Sequence, residues 1–182
     1  MVKKLTEAQT IALFGNADAK GKNMVQMNLP YPMRLAWDTH TSVTKITCHK
    51  KLVPAFTKVF NELLAHYGLA KIQELGIDLY GGCFNYRLMR GSKTRLSTHS
   101  WGTAIDLDPA RNTLKETSKT ARFARKEYKP MLDIFEANGF YSLGKHEDRD
   151  WMHWQYGLTT LSLIHISEPT RRHHVSRMPS SA

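Results

Sequence analysis

The residues of this sequence best suited to chemistry are two imidazoles and two carboxylates, gathered in two short clusters. In Ser97-Thr-His-Ser-Trp-Gly-Thr-Ala-Ile-Asp-Leu107, His99 and Asp106 stand seven residues apart around Gly102. The chain can leave His99, turn at Gly102 and return along a strand that presents Asp106, with small Ala104 permitting close packing. Imidazole and carboxylate are suitable zinc ligands, binding at roughly 2.0–2.2 Å. About fifty residues on, Asp150-Trp-Met-His153-Trp sets a carboxylate three residues before an imidazole, among bulky aromatics that can exclude water. Catalytic zinc sites commonly take three protein ligands and leave the fourth position to water. His99, Asp106 and His153 supply three, and Asp150 is then the natural general base. Asp108 competes with Asp106, because alternate residues of a strand share a face. Followed by Pro109, it reads better as the end of the strand.

The pattern Ser-x-His-x-x-Gly-x-Ala-x-Asp is filled here by Ser97, His99, Gly102, Ala104 and Asp106, and is followed by Asp150, His153 and Trp154. It resembles the zinc D-Ala-D-Ala carboxypeptidase and L-alanyl-D-glutamate peptidase family, which includes vancomycin-resistance dipeptidases and many phage endolysins. Many relatives have Phe after the histidine, and some have Glu where Asp150 stands. Asn85-Tyr86-Arg87 is similar to the family's Tyr-Arg motif, whose arginine helps stabilise the oxyanion and bind substrate. Arg87 is therefore assigned that role, with Arg90 and Arg95 as competitors; a planar guanidinium fork suits either task. The resemblance also implies that Ser97 contacts substrate, and Trp101 is taken as a substrate-binding residue. Trp101, Trp151 and Trp154 are core residues, pocket walls or both.

The resemblance spans residues 50–156 and implies one zinc ion and an α+β fold shared with the hedgehog signalling domain. That fold would be a compact single domain with a small antiparallel sheet and flanking helices. The implied activity is hydrolysis of a peptidoglycan stem peptide, with the L-Ala–D-Glu bond favoured, as in an endolysin. A D-Ala-D-Ala carboxypeptidase or dipeptidase is the alternative in the same chemistry. From another class, a non-catalytic zinc-containing module would only bind walls. The expected partner is the stem peptide, acted on by a monomer.

The elements that must position these groups follow from periodicity and caps. Residues 5–14 read as a short helix with Thr6 as N-cap and Gly15 as stop. Asn16 to Pro32, rich in Gly, Asn and Pro, reads as an irregular arm. Leu35 to Cys48 reads as extended chain or a packed loop. Lys51 to Tyr67 carries Leu52, Phe56, Val59, Phe60, Leu63 and Leu64 at helical spacing before Gly68, which predicts a helix. Residues 77–80 and 83–89 read as strands flanking Gly81-Gly82, and 104–108 as a short strand ended by Pro109. Lys119 to Asn138 reads as a second long helix that Pro130 kinks or divides, and Trp151 to Tyr156 as a last strand. Helices and strands without strict alternation point to α+β. The expected organisation is a helix and arm over 1–34, a catalytic domain over 35–160, and a tail over 161–182.

Within the tail, Leu161-Ser-Leu-Ile-His-Ile-Ser-Glu-Pro-Thr-Arg171 and Val175-Ser-Arg-Met-Pro-Ser-Ser-Ala182 resemble translated sequencing adapters in their usual order. The tail is therefore read as foreign and disordered, and His165, His173 and His174 are set aside as ligands. The whole chain of 182 residues carries a formal charge of +10. The tail contributes three arginines against one glutamate, so the remainder stays basic. Its lysines and arginines are scattered without the aromatic interleaving of a nucleic-acid reader, so a solvated surface attracted to an anionic wall is expected, not nucleic-acid binding. Cys48 and Cys83 are too few and too far apart for a thiolate metal site or a disulfide framework. His40, His49, His66 and His146 read as structural or exposed, and Glu147 and Asp148 as a solvated loop. No apolar run approaches the roughly 20 residues of a membrane span. Met1-Val-Lys-Lys starts like a signal peptide, but Glu7, Gln9 and Thr10 break any apolar stretch. A chain cytoplasmic at synthesis, acting on the wall after release if phage-encoded, is the expectation.

Overall fold

In the computed structural model, which describes residues 1–159, the chain runs β1 (Lys3–Lys4), α1 (Glu7–Phe14), β2 (Met24–Leu35), β3 (Asp38–His49), α2 (Val53–Tyr67) and α3 (Leu69–Leu75). It continues through β4 (Leu79–Gly82), β5 (Ala104–Leu107), α4 (Lys129–Ala137), β6 (Phe140–Ser142), α5 (Leu143–Glu147) and β7 (His153–Leu158). The tail read as foreign lies outside the described residues. No helix among the described residues is long and apolar enough to cross a membrane.

The architecture is α+β. Seven strands form one sheet in the order β1-β7-β5-β4-β2-β3, with β6 also paired to β7. The sheet is larger than expected and mixed, because β2 and β4 run parallel through Arg34↔Leu79 and Leu35↔Tyr80. The long connection through β3, α2 and α3 returns the chain in the direction a parallel pair requires.

The stretch expected as an irregular arm is instead largely strand β2. Its prolines, Pro30 and Pro32, argue against a regular strand because they donate no hydrogen bond. The hairpin accommodates them with a register break between Asn28 and Met33, outside which β2 and β3 pair normally. The second long helix is likewise shorter than expected. Residues 122–124 and 126–128 form 3-10 turns, and α4 starts at Lys129 with Pro130 in its first turn, where a missing N–H costs nothing. Residues 83–89 are not a strand; they hold only the isolated bridge Leu88↔Leu96.

Other elements match their signals. Thr6 caps α1 in a reciprocal box with Gln9, and Gly68 ends α2 with φ 73°. Phe56, Val59, Phe60 and Leu63 form the buried stripe of α2, each contributing about 1.5–3 kcal/mol by burial. From the other side come Met131, Leu132 and Phe135 of α4. The aromatic rings meet at the sheet: Phe56 lies 4.7 Å from Phe140, and Phe135 stacks on Trp154 at 4.7 Å. Trp154 is fully buried, so the residue after His153 anchors β7 to the core while β5 lies alongside it.

Candidate metal centre

Asp106 and His153 are directly opposite each other on the antiparallel strands β5 and β7. His99 arrives on a 3-10 turn, Thr98–Trp101, capped by Ser97, whose hydroxyl accepts from the His99 amide. Gly102 then reverses the chain with φ 62°, and a Cβ there would lie 2.9 Å from the His49 amide nitrogen and against the Met24 sulfur. Only glycine meets both demands without strain. Gly81 of β4 plays a related part, because a Cβ there would sit 3.1 Å from Cβ of Asp106.

These constraints bring the three side chains together. Asp106 Oδ1 lies 3.0 Å from His153 Nδ1, Asp106 Oδ2 lies 3.3 Å from His99 Nε2, and the two ring nitrogens are 3.2 Å apart. One donor atom from each residue falls within 4.8 Å of the others, the spacing of a group able to hold a metal ion. Nδ1–H of His99 donates to the Cys83 carbonyl at 2.7 Å, which leaves the Nε2 lone pair facing the cluster. Nε2–H of His153 donates to Oε1 of Gln155 at 3.1 Å, which leaves Nδ1 facing it. Such outer partners fix the tautomer and aim of ligating histidines. Two imidazoles and a carboxylate also suit zinc chemically.

The electrostatics agree with the geometry. Burial acts to raise the Asp106 pKa, but hydrogen bonds from His153 and His99 outweigh it and hold the carboxyl well below its usual range. Burial likewise acts to lower His153, and the Asp106 carboxylate reverses that, raising its pKa. The cluster is thus built to hold positive charge beside an ionised carboxylate.

A cleft of about 390 Å³ opens over the three residues, lined also by Arg87, Ser97, Trp101 and Asp150. Asp150 adopts φ 52°, a left-handed conformation that Asp tolerates better than most residues. Its Oδ1 is buried without a hydrogen-bond partner, and burial raises its pKa. A buried carboxylate oxygen left unbonded in a cleft is available to a ligand or water. Arg87 has its peptide N–H bonded to the Ser100 hydroxyl at 3.0 Å. Ser97 is buried as the cap of the His99 turn, and Trp101 is buried with its indole N–H donating to the Gly15 carbonyl at 2.9 Å. Both therefore support the fold as well as lining the cleft.

Asp108 takes no part. The strand ends at Leu107, and φ 44° at Asp108 breaks the alternation that would have returned it to the face of Asp106. Its carboxylate goes to Arg111 at 3.0 Å and faces Arg122 at 3.7 Å. Nor are Glu147 and Asp148 merely solvated: Glu147 pairs with Lys4 and Arg149, and Asp148 accepts from Ser118 and the Trp151 indole. Gln155 and the Cys83 carbonyl are the contributors that sequence reasoning missed. Gln155 had a signal, since it lies two residues after His153 on one strand and so shares its face. A backbone carbonyl has none. The N-terminal segment is a second surprise, for Lys4 of β1, Leu5, and Glu7 and Thr10 of α1 line the cleft.

Residues 90–156 match a family model described as D-alanyl-D-alanine carboxypeptidase. No curated protein and no solved structure gives a significant match. The matched stretch contains His99, Asp106, Asp150 and His153, whereas Arg87 stands just before it. This segment, which carries the whole His-Asp-His cluster, is thus similar to the D-alanyl-D-alanine carboxypeptidase family of peptidases.

Proposed function

We propose that the chain is a zinc-dependent peptidoglycan peptidase that cuts the L-Ala–D-Glu bond of stem peptides, in the manner of an endolysin. The observation that carries the metal-dependent part is the convergence of His99 Nε2, Asp106 and His153 Nδ1 in a cleft, with each histidine aimed by its own outer hydrogen bond. A zinc ion held by these three would supply Lewis-acid polarisation of the scissile carbonyl and a more acidic water.

The chain's own residues carry the remaining steps. Asp150, with a buried and unbonded Oδ1, takes the proton of the attacking water and delivers it to the leaving amine. Its raised pKa suits both halves of that transfer. Arg87, on the cleft wall, places its guanidinium against the oxyanion of the tetrahedral intermediate. Ser97 and Trp101 line the substrate channel while holding the His99 turn. The basic surface favours an anionic wall, on which the enzyme acts after release from the cytoplasm.

The family match favours a second reading, removal of the terminal D-Ala. Digestion of purified peptidoglycan, with products read by mass spectrometry, separates the two. New N-terminal D-Glu supports the endopeptidase, and free D-Ala the carboxypeptidase. Wall binding without release of any amine would overturn both in favour of a recognition module.

A further inference from the structure

We propose that Arg90 and Arg95 form a carboxylate-reading wall of the cleft. The enzyme would then select stem peptides with a free carboxylate on the residue that supplies the leaving amine, over those carrying a carboxamide there. The inference rests on the peptidase reading above and adds to it a selectivity between substrates.

Arg87, Arg90 and Arg95 all line the cleft that contains His99 and Asp150. Of the other arginines among the described residues, Arg34 pairs with Asp78, Arg111 and Arg122 with Asp108, and Arg149 with Glu147, while only Arg125, outside the cleft, lacks a carboxylate partner. Among the described residues, no carboxylate pairs with Arg90 or Arg95. The other basic residues that line the cleft, Lys4 and Arg149, both already pair with Glu147. The cleft's uncompensated positive charge is therefore concentrated on one wall.

That wall has a fixed backbone. The amide of Met89 donates to the Arg95 carbonyl at 2.8 Å, and that of Ser92 to the Met89 carbonyl at 3.0 Å. The Leu88↔Leu96 bridge closes the loop, and the Ser97 amide donates to the Arg87 carbonyl at 2.9 Å, joining it to the His99 turn. Several guanidinium groups held on one short, closed loop repel one another unless an anion lies between them. They also offset the repulsion that Asp106 and Asp150 would exert on an anionic peptide. A guanidinium fork accepts a carboxylate in two parallel hydrogen bonds, which a neutral carboxamide cannot match. In a γ-linked D-Glu the α-carboxylate stays free beside the amine that leaves, and a terminal D-Ala offers the same arrangement.

The test uses the full zinc-loaded chain and two synthetic stem peptides that differ only in a D-Glu α-carboxylate or α-carboxamide. The wild type should favour the carboxylate by roughly tenfold or more in kcat/KM. In the Arg90→Gln, Arg95→Gln double variant that ratio should fall towards one, chiefly through KM. Arg125→Gln, the same charge change outside the cleft, should keep the ratio. Calorimetric titration with product peptides of both kinds gives the same comparison without turnover. A ratio near one in the wild type, or one unchanged in the double variant, overturns the proposal. If neither peptide is cut, the peptidase reading fails, and the titration still decides whether the wall reads carboxylates.

Discussion

His99 and His153 present different ring nitrogens to the same point: Nε2 of one and Nδ1 of the other stand 3.2 Å apart, and Asp106 bridges them. The asymmetry is set outside the cluster, where the Cys83 carbonyl takes Nδ1–H of His99 and Gln155 takes Nε2–H of His153.

Replacing Gln155 with Leu removes the acceptor that aims His153 while keeping similar volume. Zinc affinity, measured by competition with a chromophoric chelator, should fall about 10–100-fold. Unchanged affinity would mean that the strand backbone alone positions the ring.

Asp150→Asn keeps the shape of the side chain but cannot take a proton. Peptide hydrolysis should fall by roughly 10²–10⁴-fold, with zinc content by metal analysis unchanged. A folded, zinc-loaded Asp150→Asn variant with full activity would remove Asp150 from the chemistry.

The response to zinc should depend on pH. Without metal, the raised pKa of His153 means that its pairing with Asp106 stabilises the fold fully below the ordinary histidine pKa. That contribution is lost as pH rises through the raised value. The depressed carboxyl of Asp106 contributes above its ordinary pKa and fails only as pH falls through the depressed value. Zinc needs Nδ1 of His153 deprotonated. The rise in Tm caused by zinc should therefore grow between roughly pH 6 and roughly pH 8. A shift that shrinks over this interval would contradict the assignment.

Gly102→Ala combines a left-handed φ with a contact against the His49 amide. It should destabilise the fold by about 2–5 kcal/mol, read by denaturant unfolding.

The grouping of His99 and Asp106 was legible in the sequence because their spacing is dense and local: Ser97 to Asp106 encodes a cap, a turn and a strand. His153 was legible from its neighbours, and the strand pairing explains why a residue 47 positions away lands opposite Asp106. Strand β2 was obscured because Pro30 and Pro32 signal irregular chain, and only the register break against β3 shows how a strand tolerates them. The stretch before α4 failed for the opposite reason: a helical run of charged and apolar residues outweighed Pro130, which in fact starts the helix. The contribution of Lys4 and Glu7 to the cleft depends on β1 pairing with the far end of β7, a contact across the whole chain with no local signature.

Amine release from purified peptidoglycan measures metal-dependent hydrolysis at the His-Asp-His cluster. The wild type, stripped with chelator, should be inactive and regain activity when one equivalent of zinc is restored. Asp106→Ala, folded but treated identically, should recover nothing. Undiminished release by the stripped wild type, or full recovery by Asp106→Ala, would contradict a zinc-dependent reaction at this cluster.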